Sequence, residues 1–302
     1  MGMPDDGISG GMITEEYMKK IKSIGVIGGD LRQLYCARSL LDDGYDVCIS
    51  GFDRCSDHMG LENTGIRNAV ENSDALMLPL PVSKDGAAIY SPFSDSDAQA
   101  AAVFEMIRAD QPVFCGLEGA LPESFFSGKR CFFYGRREDF AAANAVPTAE
   151  GALSIAVSNS PVTINSSECL VAGFGRIGRV LSVYLRGMGA DVTVSARKSH
   201  DLELIRAWGM KAVSTNAISG SYDFVFNTIP EMIFDRKLLS RCCRRALVID
   251  LASAPGGADK KAAEQLGIPL IHALSLPGKT APETAGRIIK NSIYRIMEEE
   301  WK

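Results

Sequence analysis

At 302 residues the chain passes the size of about 250–300 at which single cores stop growing, and it is the length of two domains of about 150 residues each. Its 46% hydrophobic and 23% charged residues are an ordinary globular composition, and a net charge of −5 speaks against nucleic acid, which selects a basic face. No apolar run reaches the roughly 18–20 residues that span a bilayer, so no membrane association is expected.

Residues 1–20 lack the apolar stretch of a secretion signal and read as a flexible extension leading into a short helix. Eight cysteines include no CxxC pair and no zinc spacing. They read as reduced thiols of a cytoplasmic protein without a metal site, and only the vicinal Cys242-Cys243 invites a redox role.

The first regular segment is an apolar strand, Ser23–Ile27, followed by the turn Gly28-Gly29-Asp30. A helix follows with Leu31, Leu34, Tyr35, Arg38 and Leu41 on one stripe, stopped by Gly44, and then a strand over residues 45–51. Asp30 is a good N-cap, but it stands where a phosphate-binding turn has its second glycine, and its carboxylate would repel a pyrophosphate. This half is therefore expected to keep a nucleotide-binding fold and to have lost the nucleotide site. Strands are predicted at residues 75–79, 112–115 and 131–134, with a helix over 97–109. The loop Leu80-Pro81-Val82-Ser83-Lys84-Asp85-Gly86 lies where open α/β sheets place ligands, so Lys84 faces either a substrate or solvent. Arg32, in the first helical turn beneath the same edge, is a candidate for gripping a carboxylate.

Over residues 136–159 helical periodicity runs on both sides of Pro147. Proline lacks an N–H and collides with the preceding turn, which predicts two helical pieces meeting there. The second would begin at Thr148 and offer N–H groups to an anion. Glu150 would then be either a catalytic carboxylate or merely the first-turn carboxylate of that helix start.

Residues 169–198 carry the strongest signal. A short apolar strand runs into Gly173-Phe174-Gly175-Arg176-Ile177-Gly178, then a helix with Ile177, Val180, Leu181, Tyr184, Leu185 and Met188 on one stripe, with Gly189 at C′ and a second strand over 191–195. In such a strand–turn–helix the first glycine permits the tight turn, the second the approach of a pyrophosphate, and the third the packing of helix on strand. Dinucleotide contacts are expected from Gly173, Gly175, Arg176, Ile177 and Gly178. Where an NAD site places Asp or Glu for the ribose hydroxyls, this chain reads Ser195-Ala196-Arg197-Lys198. A guanidinium and an ammonium with no carboxylate favour NADP over NAD, with Ser195, Arg197 and Lys198 as contacts, unless the two cations are only a solvated loop.

Further strands are predicted at 211–213, 223–226, 246–249 and 269–272, with helices over 260–266 and 281–299. The loop Asn227-Thr228-Ile229-Pro230 is expected beside the ribose and nicotinamide, and Asp250 and Ala252 open a run of small residues that permits close approach to a ring. His272 is either a general base or a buried structural histidine within PLIHAL. Lys279, just ahead of the last helix, would share an anion with that helix start. The substrate-side domain is expected at residues 21–145 plus 285–302 and the coenzyme domain at 146–284. There is no G-x-S-x-G, Walker or HExxH pattern, which argues against hydrolytic and phosphoryl-transfer chemistry.

Two Rossmann-like domains, each a doubly wound parallel α/β sheet and joined by a long helix, resemble the plan of the D-2-hydroxyacid dehydrogenase and alanine dehydrogenase superfamily. The arginine and the Pro-His pair of the hydroxyacid dehydrogenases are replaced by Ala252-Ser253-Ala254-Pro255 and Leu276-Pro277-Gly278-Lys279. More specifically, the chain resembles the family of dipicolinate synthase A subunits. The segments that carry this are Ile27-Gly28-Gly29-Asp30-Leu31-Arg32-Gln33, Gly51-Phe52-Asp53, Leu80-Pro81-Val82, Asn144-Ala145-Val146-Pro147-Thr148-Ala149-Glu150-Gly151-Ala152, the glycine turn, and Leu276 to Gly286.

The resemblance implies a cytoplasmic sporulation enzyme that oxidises a dihydrodipicolinate-type cyclic dicarboxylate to dipicolinate with NADP, working with the separate, flavoprotein-like B subunit of dipicolinate synthase. A homo-oligomer is expected. Aromatisation favours hydride loss, so such a protein chiefly has to hold the ring and two carboxylates. Arg32, Lys84, Thr148 and Lys279 are the expected carboxylate-binding groups, and Glu150 or His272 the expected proton acceptor. Two other readings are an oxidoreductase acting on another small imino or 2-oxo carboxylate, and a noncatalytic NADP-binding subunit.

Overall fold

The computed structural model describes residues 21–301, so the extension expected over residues 1–20 lies outside the described residues. The chain divides into two compact units, one formed by the described residues up to Ala141 with those from Pro282 onward, the other by Ala142–Ala281.

The first unit carries strands β1 (Ser23–Ile27), β2 (Asp46–Ser50), β3 (Glu62–Asn63), β4 (Ala75–Met77), β5 (Pro112–Cys115) and β6 (Arg130–Phe133). Helices α1 (Leu31–Asp42), α2 (Ile66–Glu71) and α3 (Ala100–Met106) connect them. All pairings are parallel and the spatial order is β3-β2-β1-β4-β5-β6. In the second unit β7 (Glu168–Ala172), β8 (Asp191–Ala196), β9 (Lys211–Ser214), β10 (Phe224–Asn227), β11 (Leu247–Asp250) and β12 (Leu270–His272) lie in the order β12-β11-β10-β7-β8-β9. Read from the other edge this is the same doubly wound order, which reverses beside the first strand of each sheet and opens a crevice at the carboxyl ends there. The strands read as unbroken apolar runs because both faces of a parallel sheet are covered: β10 and β11 are buried at every position.

Helix α4 (Glu138–Asn159) departs from expectation. It is one helix of 22 residues with Pro147 inside it, so no helix start exists at Thr148. Proline removes one backbone hydrogen bond and crowds the turn before it. Against that cost stand Ala145, Ala149, Ala152 and Ala156, a fully buried stripe at helical spacing, and the Thr148 hydroxyl, which donates to the Asn144 carbonyl one turn back at 2.7 Å. Among the described residues α4 alone has the length and apolar composition to cross a bilayer, and 44% of that stretch is buried inside the protein.

Between the expected elements of the second unit lie helices without a sequence signal long enough to read: α6 (Ser199–Ala207), α7 (Arg236–Cys242) and α9 (Leu276–Thr280). The expected α5 (Arg176–Gly187) and α8 (Lys260–Leu266) are present, and Gly189 takes the left-handed conformation at φ +85° just past α5. All eight cysteines are free, and Cys242 and Cys243 are both buried.

The last helix, α10 (Pro282–Glu300), belongs to the first unit and packs on α1. Ile289, Ile293, Ile296 and Met297 join the core formed by Leu34, Ala37 and Leu40 of α1 with Val26 and Ile49 of the sheet, and Asp43 at the end of α1 accepts hydrogen bonds from Lys290 and Tyr294. A Cβ on Gly286 would stand 2.7 Å from the Cys36 nitrogen and 2.8 Å from the Arg32 carbonyl oxygen. In an open helix Gly→Ala gains about 1 kcal/mol. Here the methyl must push α10 off α1, so Gly286→Ala is expected to lower the unfolding free energy by about 1–3 kcal/mol. Urea denaturation measures this, and a stabilised variant would contradict the close helix contact.

Candidate coenzyme and substrate sites

The glycine turn of the second unit meets three different demands at its three glycines. Gly173 has φ +100°, and a Cβ there would stand 2.5 Å from the Thr228 hydroxyl oxygen in the β10 loop. Gly178 lies under the turn, where a Cβ would come within 2.1 Å of the Gly173 carbonyl oxygen. Gly175 is the N-cap of α5, supplies no side-chain acceptor to the first turn, and has nothing within 4 Å of its absent Cβ. Open space above an uncapped helix start, at the point where the strand order reverses, fits the pyrophosphate of a dinucleotide, with Gly173, Gly175, Arg176, Ile177 and Gly178 around it.

At the end of β8, Ser195 is fully buried and its hydroxyl has no partner among the described residues, while Arg197 and Lys198 are exposed. The expectation of no carboxylate there holds along the chain but fails in space. Arg197 Nη1 lies 3.3 and 3.4 Å from the two carboxylate oxygens of Glu231, which comes from the loop after β10. Nothing in the local pattern signals this pairing of residues 34 apart.

The loops after β10 and β11 are tied by side chains that the sequence pattern assigns to the coenzyme. Asn227 is fully buried and donates from Nδ2 to the Ile229 carbonyl at 3.1 Å and to Asp250 Oδ1 at 2.8 Å. Asp250, equally buried, also accepts from the backbone N–H of Ala252 at 3.2 Å, Gly257 at 2.8 Å and Ala258 at 3.2 Å. Both side chains are thus spent on the protein itself, which corrects their expected role. Thr228 donates its N–H and its hydroxyl to the Ala172 carbonyl, each at 2.9 Å, leaving Ile229 and the exposed Pro230 beyond it. His272 Nε2 lies 2.9 Å from the Ala252 carbonyl oxygen, to which it must donate, so it steadies the same loop and leaves Nδ1 as the ring's only possible proton acceptor.

The second unit also brings the two longest family-like motifs together. A Cβ on Gly151 would stand 2.9 Å from Leu276 Cβ and 3.1 Å from the Thr280 hydroxyl oxygen, so only glycine lets α4 lie this close to α9. Glu150 is exposed on a continuous helix and is no first-turn carboxylate; Thr148 is buried and its hydroxyl is used within the helix. The anion site expected from a helix start at Thr148 is therefore withdrawn. Lys279 is exposed in the last turn of α9.

In the first unit the corresponding turn is closed by the chain. The Gly29 N–H donates to the Tyr90 carbonyl at 2.7 Å, and a Cβ on Gly28 would stand 2.3 Å from the Ser91 hydroxyl oxygen. Asp30 caps α1 through a reciprocal capping box with Gln33. The carboxylate that Arg32 grips is Asp30: Nε and Nη2 reach its two oxygens at 2.8 Å each, and Nη2 also donates to the Leu80 carbonyl at 2.8 Å. Burial opposes the charge on Arg32, but Asp30 outweighs it and holds the guanidinium above its ordinary pKa. Arg32 thus joins the β1 turn to the β4 loop, which corrects its expected place on a substrate. Lys84 is exposed, with Nζ 3.6 Å from the centre of the Tyr90 ring.

The contrast among the glycines is testable. Gly175→Ala meets no neighbour, so its urea unfolding should match the parent within about 0.5 kcal/mol, while the thermal shift produced by the dinucleotide should disappear. Gly178→Ala should lose stability as well, by about 1–3 kcal/mol. Normal dinucleotide binding by Gly175→Ala would contradict this placement of the pyrophosphate.

Comparison with known proteins agrees with this division. Residues 23–122 match the N-terminal domain of the dipicolinate synthase A subunit, and residues 149–262 match the NAD binding domain of D-isomer specific 2-hydroxyacid dehydrogenases. The dipicolinate synthase A subunit of Bacillus subtilis is 32% identical over 295 residues, covering 91% of this chain and 96% of that protein. Its crystal structure aligns at a TM-score of 0.80 over 92% of this chain and 96% of that one. The corresponding structure from Bacillus halodurans aligns at 0.82 with 29% identity, over 91% of this chain and 97% of that one. With such a relative matched along nearly its whole length and a dehydrogenase-type coenzyme domain behind the glycine turn, the chain belongs to the family of dipicolinate synthase A subunits.

Proposed function

We propose that the protein oxidises dihydrodipicolinate to dipicolinate with NADP as hydride acceptor, in the cytoplasm of a sporulating cell and together with a second, flavoprotein-like subunit. The observation that carries this reading is the open cradle at Gly175 beside a β8 end bearing Arg197 and Lys198. Gly173, Gly175 and Gly178 would hold the pyrophosphate, Arg197 and Lys198 the 2′-phosphate, and Thr228, Ile229 and Pro230 the nicotinamide end. When bound, the nicotinamide supplies the two-electron acceptor.

Loss of one hydride and one proton turns the dihydro ring into an aromatic pyridine. The protein's task is then to orient the ring, bind its two carboxylates and exclude competing reactions. In the second unit Lys279 carries an exposed ammonium group suited to a carboxylate, and Glu150 is the proposed proton acceptor. A second reading, a coenzyme-binding protein whose partner performs the chemistry, is favoured by the engagement of His272, Asp250 and Arg32 in internal contacts.

The purified chain, with and without its second subunit, should be mixed with freshly generated dihydrodipicolinate and NADP, and dipicolinate and NADPH followed together. Equal amounts of both products when the two subunits are present, reduced in Lys279→Ala, are expected. Product only with the second subunit, unaffected by Lys279→Ala, would favour the noncatalytic reading. Arg197→Ala is expected to weaken NADP binding about tenfold, as removal of a charge-assisted contact worth roughly 1.5 kcal/mol would. NAD binding should change less than twofold, and equal losses for both coenzymes would remove the 2′-phosphate role.

A further inference from the structure

Arg197 directly follows β8 and Glu231 lies in the loop after β10, while β7, which delivers the glycine turn, runs between those two strands. Their ion pair, at 3.3 and 3.4 Å, therefore crosses the carboxyl end of the strand on which a dinucleotide would be held. Glu231 does not stand on a loose loop. The Ile233 and Phe234 N–H groups both donate to the Gly257 carbonyl, at 3.0 and 2.9 Å. A Cβ on Gly257 would meet the Glu231 carbonyl oxygen at 2.7 Å, and the Gly257 N–H is held by Asp250. The buried Asp250 anchor thus holds the loop segment from which the Glu231 side chain extends.

We propose that Glu231 is a coenzyme-specificity residue that competes with the 2′-phosphate of NADP for Arg197. This rests on the NADP reading above. A 2′-phosphate must displace the Glu231 carboxylate from the guanidinium and then remain near a like charge, both of which weaken its binding. The ribose hydroxyls of NAD neither require Arg197 nor suffer that repulsion. The two side chains are 68% and 60% exposed, so their pair is weak and screened, and a dianion can replace it. Selectivity for NADP is then the gain from Arg197 and Lys198 less the cost imposed by Glu231.

Binding of NADP and of NAD should be measured by titration calorimetry for the parent, Glu231→Gln, Arg197→Ala and the double variant at one fixed low ionic strength. Glu231→Gln is expected to tighten NADP about two- to fivefold, the range of exposed ion pairs, and to change NAD less than twofold. In the Arg197→Ala background the same substitution should give a smaller gain. Unchanged NADP affinity in Glu231→Gln, equal tightening of both coenzymes, or an undiminished gain without Arg197 would each overturn the proposal. Selective loss of NADP affinity in Arg197→Ala with a silent Glu231→Gln would sink only the role of Glu231. Equal losses of NADP and NAD in Arg197→Ala would sink the NADP reading beneath it.

Discussion

Backbone N–H groups at the turn between the first strand and first helix of each sheet need partners, and the two units satisfy this constraint in opposite ways. In the first unit the partner is the chain: Tyr90 accepts from Gly29, and the Asp30 carboxylate caps α1 with Gln33. In the second, the N-cap is Gly175, which offers no side chain, and the space above it is open. One sheet topology therefore yields one unit suited to a pyrophosphate and one whose turn is closed against it. The difference rests on Asp30 in place of a glycine and on the Tyr90-Ser91 segment that folds over Gly28 and Gly29.

A second recurring theme is that conspicuous polar side chains are used to hold loops. Asp250 gathers three backbone N–H groups and the Asn227 amide at the carboxyl ends of β10 and β11. His272 adds a bond to the same loop, and Arg32 joins two loops of the first unit through Asp30 and Leu80. Burying a charged or polar group without partners costs several kcal/mol, so each buried one must find several, and the loops at a sheet's carboxyl end supply them. Rigid loops are in turn what a coenzyme site requires. The residues that look reactive in the sequence hold loops in place, while Arg197, Lys198, Lys279 and Glu150 are left exposed.

Pro147 shows how tertiary contacts override a local rule. A proline inside a helix costs about 3 kcal/mol. Four buried alanines and the close approach of α4 to α9 at Gly151 lie on the opposite side of that balance, and both depend on the helix continuing.

The sequence by itself determined the two α/β units, the glycine turn and every strand among the described residues except the two-residue β3, which is too short to form an apolar run. A parallel strand buried on both faces is an unbroken apolar run, and a strand–turn–helix leaves its glycines at fixed spacing. It also determined that Asp30 excludes a pyrophosphate from the first unit, because N-cap chemistry is local. Only the tertiary structure decided that Glu231 reaches Arg197 across 34 residues, that Arg32 reaches the Leu80 carbonyl across 48, and that α4 runs unbroken through Pro147. Each of these is a contest between partners brought together by the sheet or by helix packing, and its outcome depends on distances that no local pattern encodes.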